Sequence, residues 1–225
     1  MRDRATVVKP GEDVWPAADV EARPRILEEV AEAEEITLRY FPQDSYRNQS
    51  TVIQAGGNCG LWPRMFAGLG FYVHTFEPDP TNFLCLVQNC DVYLGDEIMP
   101  YMAALSNEVG WGMLKVDPVN VGAHYLKPGT VGTDVERVRL MPANLLELRD
   151  RVAMIQLDVE GAEVIALQGA SEIIRQHKPL LWLEDKGLTE RVSGHPSAEA
   201  WLRERWPQYR VVERFRRDIV LAWHG

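Results

Sequence analysis

Two groups of residues in this 225-residue chain have the types and spacing to do chemistry. The first is Gln54-Ala55-Gly56-Gly57-Asn58-Cys59-Gly60, read together with Glu77. A short apolar run beginning at Thr51 ends in this glycine cluster, and Pro63 follows where the first turn of a helix would lie. Glycine lets backbone approach a ligand closely, and a helix N-terminus presents free N–H groups. A second apolar run, residues 71–76, ends at Glu77. An acidic residue about 20 positions past a glycine turn is where nucleotide-type ligands have their ribose hydroxyls held. The spacing therefore points to an adenosine-containing cofactor. The second group is Asp158 and Glu160, at the end of the apolar run 153–159. Ligands of open α/β sheets bind in the crevice at the carboxyl ends of the strands, and a carboxylate placed there can take a proton from a reacting hydroxyl.

Alternating strands and helices are needed to bring these groups together. The periodicity predicts strands at 51–54, 71–76, 98–105, 153–159 and 180–183, with helices at 62–69, 81–89, 163–177 and 196–205. Pro100 removes a ladder donor, which suits an edge strand. Residues 112–116 and 136–140 read as extra strands around a Gly-rich loop at 122–132, and residues 142–148 as a short helix. Residues 209–215 and 219–223 are close enough to pair as an antiparallel hairpin. The expected fold is α/β: a Rossmann-like, doubly wound seven-stranded sheet, mostly parallel with a C-terminal antiparallel hairpin. Two parts are expected: an N-terminal helical extension over 1–50, its pattern broken near Pro24, and a cofactor-binding domain over 51–225.

The formal charge of −9 argues against non-specific binding to nucleic acid or anionic membranes. Six arginines between Arg203 and Arg217 are interleaved with Glu204, Glu213 and Asp218, as on a solvated face. The three cysteines, Cys59, Cys85 and Cys90, are odd in number and have no paired spacing, which argues against a disulfide framework and a structural zinc. No apolar run follows Met1, and none approaches the ~20 residues a membrane span needs. A cytoplasmic protein without a membrane span is expected.

Three segments carry a resemblance to a known family. Gln54 to Gly60 resembles Asp-x-Gly-Ala-Asn-x-Gly; Phe76-Glu77-Pro78-Asp79-Pro80 resembles Phe-Glu-Pro-x-Pro; and Ile155 to Glu163 resembles Ile-Lys-Ile-Asp-Val-Glu-Gly-Ala-Glu. These are motifs of the FkbM family of S-adenosylmethionine (SAM)-dependent methyltransferases. Ala103-Ala104-Leu105-Ser106 and the run from Lys178-Pro179 to Glu184 extend the likeness, which covers residues 50–185. The closing hairpin is also the usual ending of class I methyltransferases.

The resemblance implies SAM as cofactor, bound by Gln54, Gly56, Gly57, Asn58, Gly60, Glu77, Pro78, Ala104 and Asp158. It implies O-methylation of a hydroxyl on a sugar, a glycan or a secondary metabolite, with no nucleic-acid partner. Asp158 is the first candidate for substrate-side chemistry, followed by Glu160 and the loop residue His124. Gln54 stands where the family has aspartate, keeping an acceptor and losing the charge. Asn58 reads equally as a contact to the cofactor carboxylate and as a helix cap, and Asp79 as a cap. Glu163 reads as a carboxylate favoured at a helix start. Asp158, Glu160 and Glu184 could in principle share a divalent cation, but their spacing is not that of a dedicated site and no metal is expected. Tyr40, Phe41 and Tyr46 read either as a lid or as packing. Two other functions stand beside methyl transfer. Ala55-x-Gly57-x-x-Gly60 is a degenerate dinucleotide fingerprint, which would suit an NAD-dependent oxidoreductase. Gln54 would suit a non-catalytic SAM-binding module.

Overall fold

A computed structural model describes residues 6–7, 13–115, 125–126, 135–184 and 186–225. Short strands β1 (Thr6–Val7) and β2 (Trp15–Pro16) pair antiparallel. Helices α1 (Arg23–Tyr40) and α2 (Asp44–Arg47) follow. Pro24 lies in the first turn of α1, where its missing N–H costs nothing. The break expected there is the junction with a 3-10 turn at Ala17–Ala22. The chain continues through β3 (Ser50–Ala55), α3 (Leu61–Gly68), β4 (Tyr72–Phe76), α4 (Pro80–Asn89), β5 (Ile98–Tyr101) and β6 (Ala104–Leu105). Next come β7 (Gly110–Lys115), β8 (Tyr125–Leu126), β9 (Val135–Met141), β10 (Arg151–Leu157), α5 (Glu163–Gly169) and α6 (Ser171–His177). Strand β11 (Leu180–Glu184), helices α7 (Thr189–Ser193) and α8 (Ala198–Arg205), and strands β12 (Tyr209–Phe215) and β13 (Asp218–Trp223) complete it.

Seven strands form the main sheet in the order β12-β13-β11-β10-β3-β4-β5. The five from β11 to β5 are parallel, and β13 runs antiparallel to both β11 and β12. The central strands β10 and β11 are covered on both faces, so their sequences are almost wholly apolar. Successive residues feed opposite cores. Ile53, Ile155 and Leu181 pack on one side with Leu202 of α8. Val52, Met154 and Trp182 pack on the other with Phe66 of α3. Helix α1 enters this second core through Ala33 and Ile36. Polar ties then fix it to the hairpin: Arg39 and Tyr40 donate to Glu213 at 2.8 and 3.1 Å, and Arg216 grips Glu32 with two bonds of 3.0 Å. Exposed pairs of this kind are worth ~0–1 kcal/mol, so the apolar contacts hold the helix and the charges orient it. Phe41 stacks on Tyr46 at 5.7 Å and meets Phe71 edge-on, so this aromatic cluster is packing.

Three expectations need correction. Residues 98–105 are not one strand. The chain turns at Met102, with Ala103 donating to the Tyr101 carbonyl at 2.9 Å, and β6 joins a separate four-stranded sheet of order β6-β9-β7-β8. Residues 142–148 hold only a 3-10 turn, Ala143–Leu145. The helix expected over 163–177 divides at Ala170 into α5 and α6. At that point Gly169 lies so close to Ser106 that a Cβ would sit 1.8 Å from the Ser106 carbonyl oxygen. Pro100 does lie on the edge strand, β5. Among the described residues, no helix is long and apolar enough to cross a membrane.

Candidate active site

The glycine loop after β3 is held from below by Gln54. This side chain is fully buried, donates to the Gly56 carbonyl at 3.0 Å and accepts from the Thr75 hydroxyl. Gly56 has φ +85°, and a Cβ there would lie 1.9 Å from the Asp158 carbonyl oxygen. The loop and the end of β10 therefore meet backbone to backbone, which no side chain permits. Asn58 and Glu160 adopt left-handed φ values of 45° and 51° without being glycine. Each costs of order 1–3 kcal/mol, and such strain clusters at functional sites.

Glu77 follows β4 and is almost fully buried. One carboxylate oxygen accepts from the Asn58 N–H and the other from the Asp79 N–H, both at 2.8 Å. Those bonds favour the ionised form, but burial outweighs them and pushes the Glu77 carboxyl up to about 8. Asp79 caps α4, accepting from the N–H groups of Thr81 at 2.8 Å and Asn82 at 3.0 Å. Replacing Asp79 by alanine is expected to cost about 1 kcal/mol, a fall in Tm of roughly 3 °C by calorimetry. An unchanged Tm would show that the cap is idle. Asn58 does not cap α3, whose N-cap is Gly60; its Oδ1 is buried without a hydrogen-bond partner.

Two connected spaces open above these residues. A narrow slot of about 70 Å³ has Phe76, Ala104, Leu105 and Leu114 on its apolar side. Ala55, Gly56, Asn58, Glu77, Pro78, Asn82 and the segment Asp158, Val159, Glu160 and Ala162 complete the lining. A wider cleft of about 440 Å³ lies beside it. One wall is the N-terminal helical segment (Ala22, Arg25, Ile26 and Glu29), and the opposite wall is the hairpin turn (Arg216, Arg217 and Asp218). Gly57, Cys59, Leu61 and Trp62 border it, and Asp158, Glu160, Glu184 and Lys186 form its floor. Gly56, Asn58, Asp158 and Glu160 line both spaces. Gln54 and Gly60 line neither. Gly60 instead gives room to α4, since a Cβ there would lie 2.9 Å from the Leu86 Cα.

The floor is a cluster of charge. Lys186 Nζ lies 2.7 Å from Glu160 Oε1 and 3.9 Å from Asp158 Oδ1, and also contacts Glu184 Oε1. Burial, and then the Asp158 charge, push the Glu184 carboxyl up. Burial likewise raises Glu160, against the pull of Lys186. Burial pulls the ammonium of Lys186 down, but Asp158 and Glu184 overcome it and hold Lys186 above the ordinary lysine range. Glu29 of α1 is raised by burial and by Asp158. Asp218, which accepts from Trp182 Nε1 at 2.7 Å, is pushed by burial up to about 7. Burial therefore shifts the Glu29, Glu160, Glu184 and Asp218 carboxyls of the cleft toward their protonated forms.

The structure thus gathers Gly56, Asn58, Glu77, Pro78, Ala104, Asp158 and Glu160 around the slot. His124 lies outside the described residues. Glu163 holds the turn before α5, accepting from Gly161 N–H at 3.0 Å and the Thr189 hydroxyl at 3.2 Å. Lys186, Glu29 and the hairpin-turn residues were not legible as site residues. The signal for Lys186 was its place two residues past Glu184, just beyond a strand end.

No curated protein matches the chain. Among solved structures, the methyltransferase FkbM of Methylobacillus flagellatus KT superposes with a TM-score of 0.57 at 19% identity. The alignment covers 79% of this chain and 44% of that protein, so the chain spans less than half of its length. A magnesium protoporphyrin IX methyltransferase of Synechocystis PCC 6803, solved with bound SAM, superposes with a TM-score of 0.51 at 14% identity, over 89% of this chain and 82% of the other. At these identities the likeness is one of fold. The methyltransferase FkbM domain matches residues 54–209, well over half of the chain, and the chain belongs to the FkbM family of SAM-dependent methyltransferases.

Proposed function

We propose that the protein transfers the methyl group of SAM to a hydroxyl oxygen of a sugar, glycan or secondary metabolite bound in the cleft. The observation that carries this reading is that slot and cleft share Gly56, Asn58, Asp158 and Glu160. A cofactor with its adenine against Ala104 and Leu105 would present its reactive end at that junction.

The residues fit such a cofactor. Each Glu77 oxygen accepts one backbone bond and the Asn82 side chain adds a third to the carboxylate, so of its roughly four acceptor positions one stays open and a second becomes available where a ribose hydroxyl displaces Asn82. The unpartnered Asn58 Oδ1 suits a donor at the amino-acid end. SAM supplies an electrophilic methyl carbon. The chain aligns the acceptor oxygen with it, and such alignment is a large share of a displacement barrier. Asp158, its side chain 41% exposed at the junction, takes the hydroxyl proton as the new bond forms. In this reading residues 1–50 are a helical extension whose α1 walls the acceptor space, and residues 51–225 are the SAM-binding domain.

Titration calorimetry with SAM, its demethylated product S-adenosylhomocysteine (SAH) and NAD tests the first half. One SAM or SAH per chain is expected, and NAD binding without SAM binding would refute it. Mass spectrometry across hydroxylated acceptors is expected to show the gain of one methyl group. Asp158→Asn should lower kcat about 10²–10⁴-fold with SAM affinity kept. SAM binding without turnover on any such acceptor would favour a binding module.

A further inference from the structure

Lys186 makes the tightest set of contacts in the cleft and has no part in the roles above. Its neighbours come from two adjacent strand ends, since Leu157 of β10 is in register with Leu183 of β11. Asp158, Glu160 and Glu184 each offer an oxygen, and these oxygens lie within 4.8 Å of one another. Hard divalent cations take this type of ligand set. Here the centre is occupied by an ammonium, bonded to Glu160 at 2.7 Å, touching Glu184, and standing 3.9 Å from Asp158.

We propose that Lys186 is the built-in cation of this carboxylate cage, filling the place of a divalent metal and positioning Asp158 beside the acceptor. The positioning half rests on the methyl-transfer reading; the cation half does not. The two kinds of cation have different consequences. A divalent metal would draw on the lone pairs of all three carboxylates and leave none of them a good base. An ammonium carries one charge and at most three N–H donors. It holds Glu160 and Glu184 closely and leaves Asp158 at a longer distance, hydrogen-bonded to the Glu184 carboxyl and still partly exposed to the cleft. The strained backbone at Glu160, φ 51°, belongs to the turn that brings its carboxylate to Nζ.

The test uses Mn²⁺ alone, read by electron paramagnetic resonance and by thermal shift, and needs no acceptor. The wild-type chain is expected to bind no Mn²⁺ at this site and to keep its Tm in millimolar Mn²⁺. Lys186→Ala should bind one Mn²⁺ with a Kd on the order of 10⁻⁴ M, as weaker oxygen-ligand sites do, and rise in Tm. Lys186→Ala combined with Glu184→Gln should lose it again. Mn²⁺ binding by the wild type at this cage, or a folded Lys186→Ala that takes up none, overturns the cation half. If Lys186→Ala does not fold, Lys186→Met, of similar length and no charge, takes its place, and the wild-type measurement stands by itself. For the positioning half, Lys186→Ala should lose methyl transfer at unchanged SAH affinity and regain it with methylammonium. Full kcat in the variant overturns that half. Failure of the wild type to bind SAM would end the methyl-transfer reading and leave the Mn²⁺ result intact.

Discussion

Glu77→Gln is expected to weaken SAH binding about 100-fold, because two charge-assisted hydrogen bonds from the ribose hydroxyls would become ordinary ones. The same substitution should remove a pH dependence that the wild type shows. Burial holds the Glu77 carboxyl at about 8 in the free protein, so near neutral pH it is largely protonated. Ribose hydroxyls donate, and they therefore select the carboxylate. SAH affinity should rise about tenfold per pH unit below 8 and level off above it, with nearly one proton released on binding near pH 7. Calorimetry in buffers of different ionisation enthalpy reads that proton directly. The free protein should show the opposite trend in stability. A carboxyl whose folded pKa is raised favours the folded state while protonated. Its contribution is complete below the unfolded value of about 4.3 and is lost as pH climbs to about 8. The Tm of the free wild type should fall across that window, more steeply than that of Glu77→Gln. An SAH affinity that is flat from pH 6 to 8 would contradict the buried, protonated Glu77.

Gly56→Ala is expected to destabilise the chain by about 3–5 kcal/mol, combining left-handed strain with overpacking, and to abolish SAM binding. The added Cβ would meet the carbonyl oxygen of Asp158 at 1.9 Å and its carbonyl carbon at 2.9 Å. Both are backbone atoms, so no rotamer change relieves the clash. The loop would have to leave the end of β10, breaking the 3.0 Å bond from Asp158 N–H to the Ala55 carbonyl. Gly95→Ala is the control. Its φ of +87° is nearly the same, yet nothing lies within 4 Å of its added Cβ. That variant should cost only about 1 kcal/mol. Equal falls in Tm for the two would show that crowding against Asp158 is not what fixes glycine at position 56.

Most strands of the main sheet, and the residues proposed for the cofactor, could be named from the sequence because each depends on a local pattern. The β10 and β11 runs are apolar because both faces of those strands are covered. Glu77 stands out as a carboxylate closing an apolar strand. What the sequence hid depends on packing between distant segments. Nothing local says that β6 leaves the main sheet to pair with β9, since Ala104 and Leu105 continue the apolar run of β5 after a two-residue bend. The division of α5 from α6 reflects contact between Gly169 and Ser106, which are far apart in sequence. Gln54, which departs from the family's aspartate, turns out to brace the loop through Thr75 and Gly56. In sequence Lys186 is a lysine after a strand, like any surface cation; only the convergence of three carboxylates from two strand ends makes it otherwise.

The two spaces of the site draw on different stretches of chain. Every residue lining the slot lies between Ala55 and Ala162, whereas the cleft is closed by Ala22 to Glu29 on one side and Arg216 to Asp218 on the other. On the proposed function, acceptor choice and cofactor choice are therefore set by separate stretches of chain. A chimera that exchanges α1 and the hairpin turn for those of a relative should carry over the relative's acceptor while reading the same methyl donor. Because Arg216 couples those two segments through Glu32, they would have to be exchanged as a pair, like the two jaws of one tool.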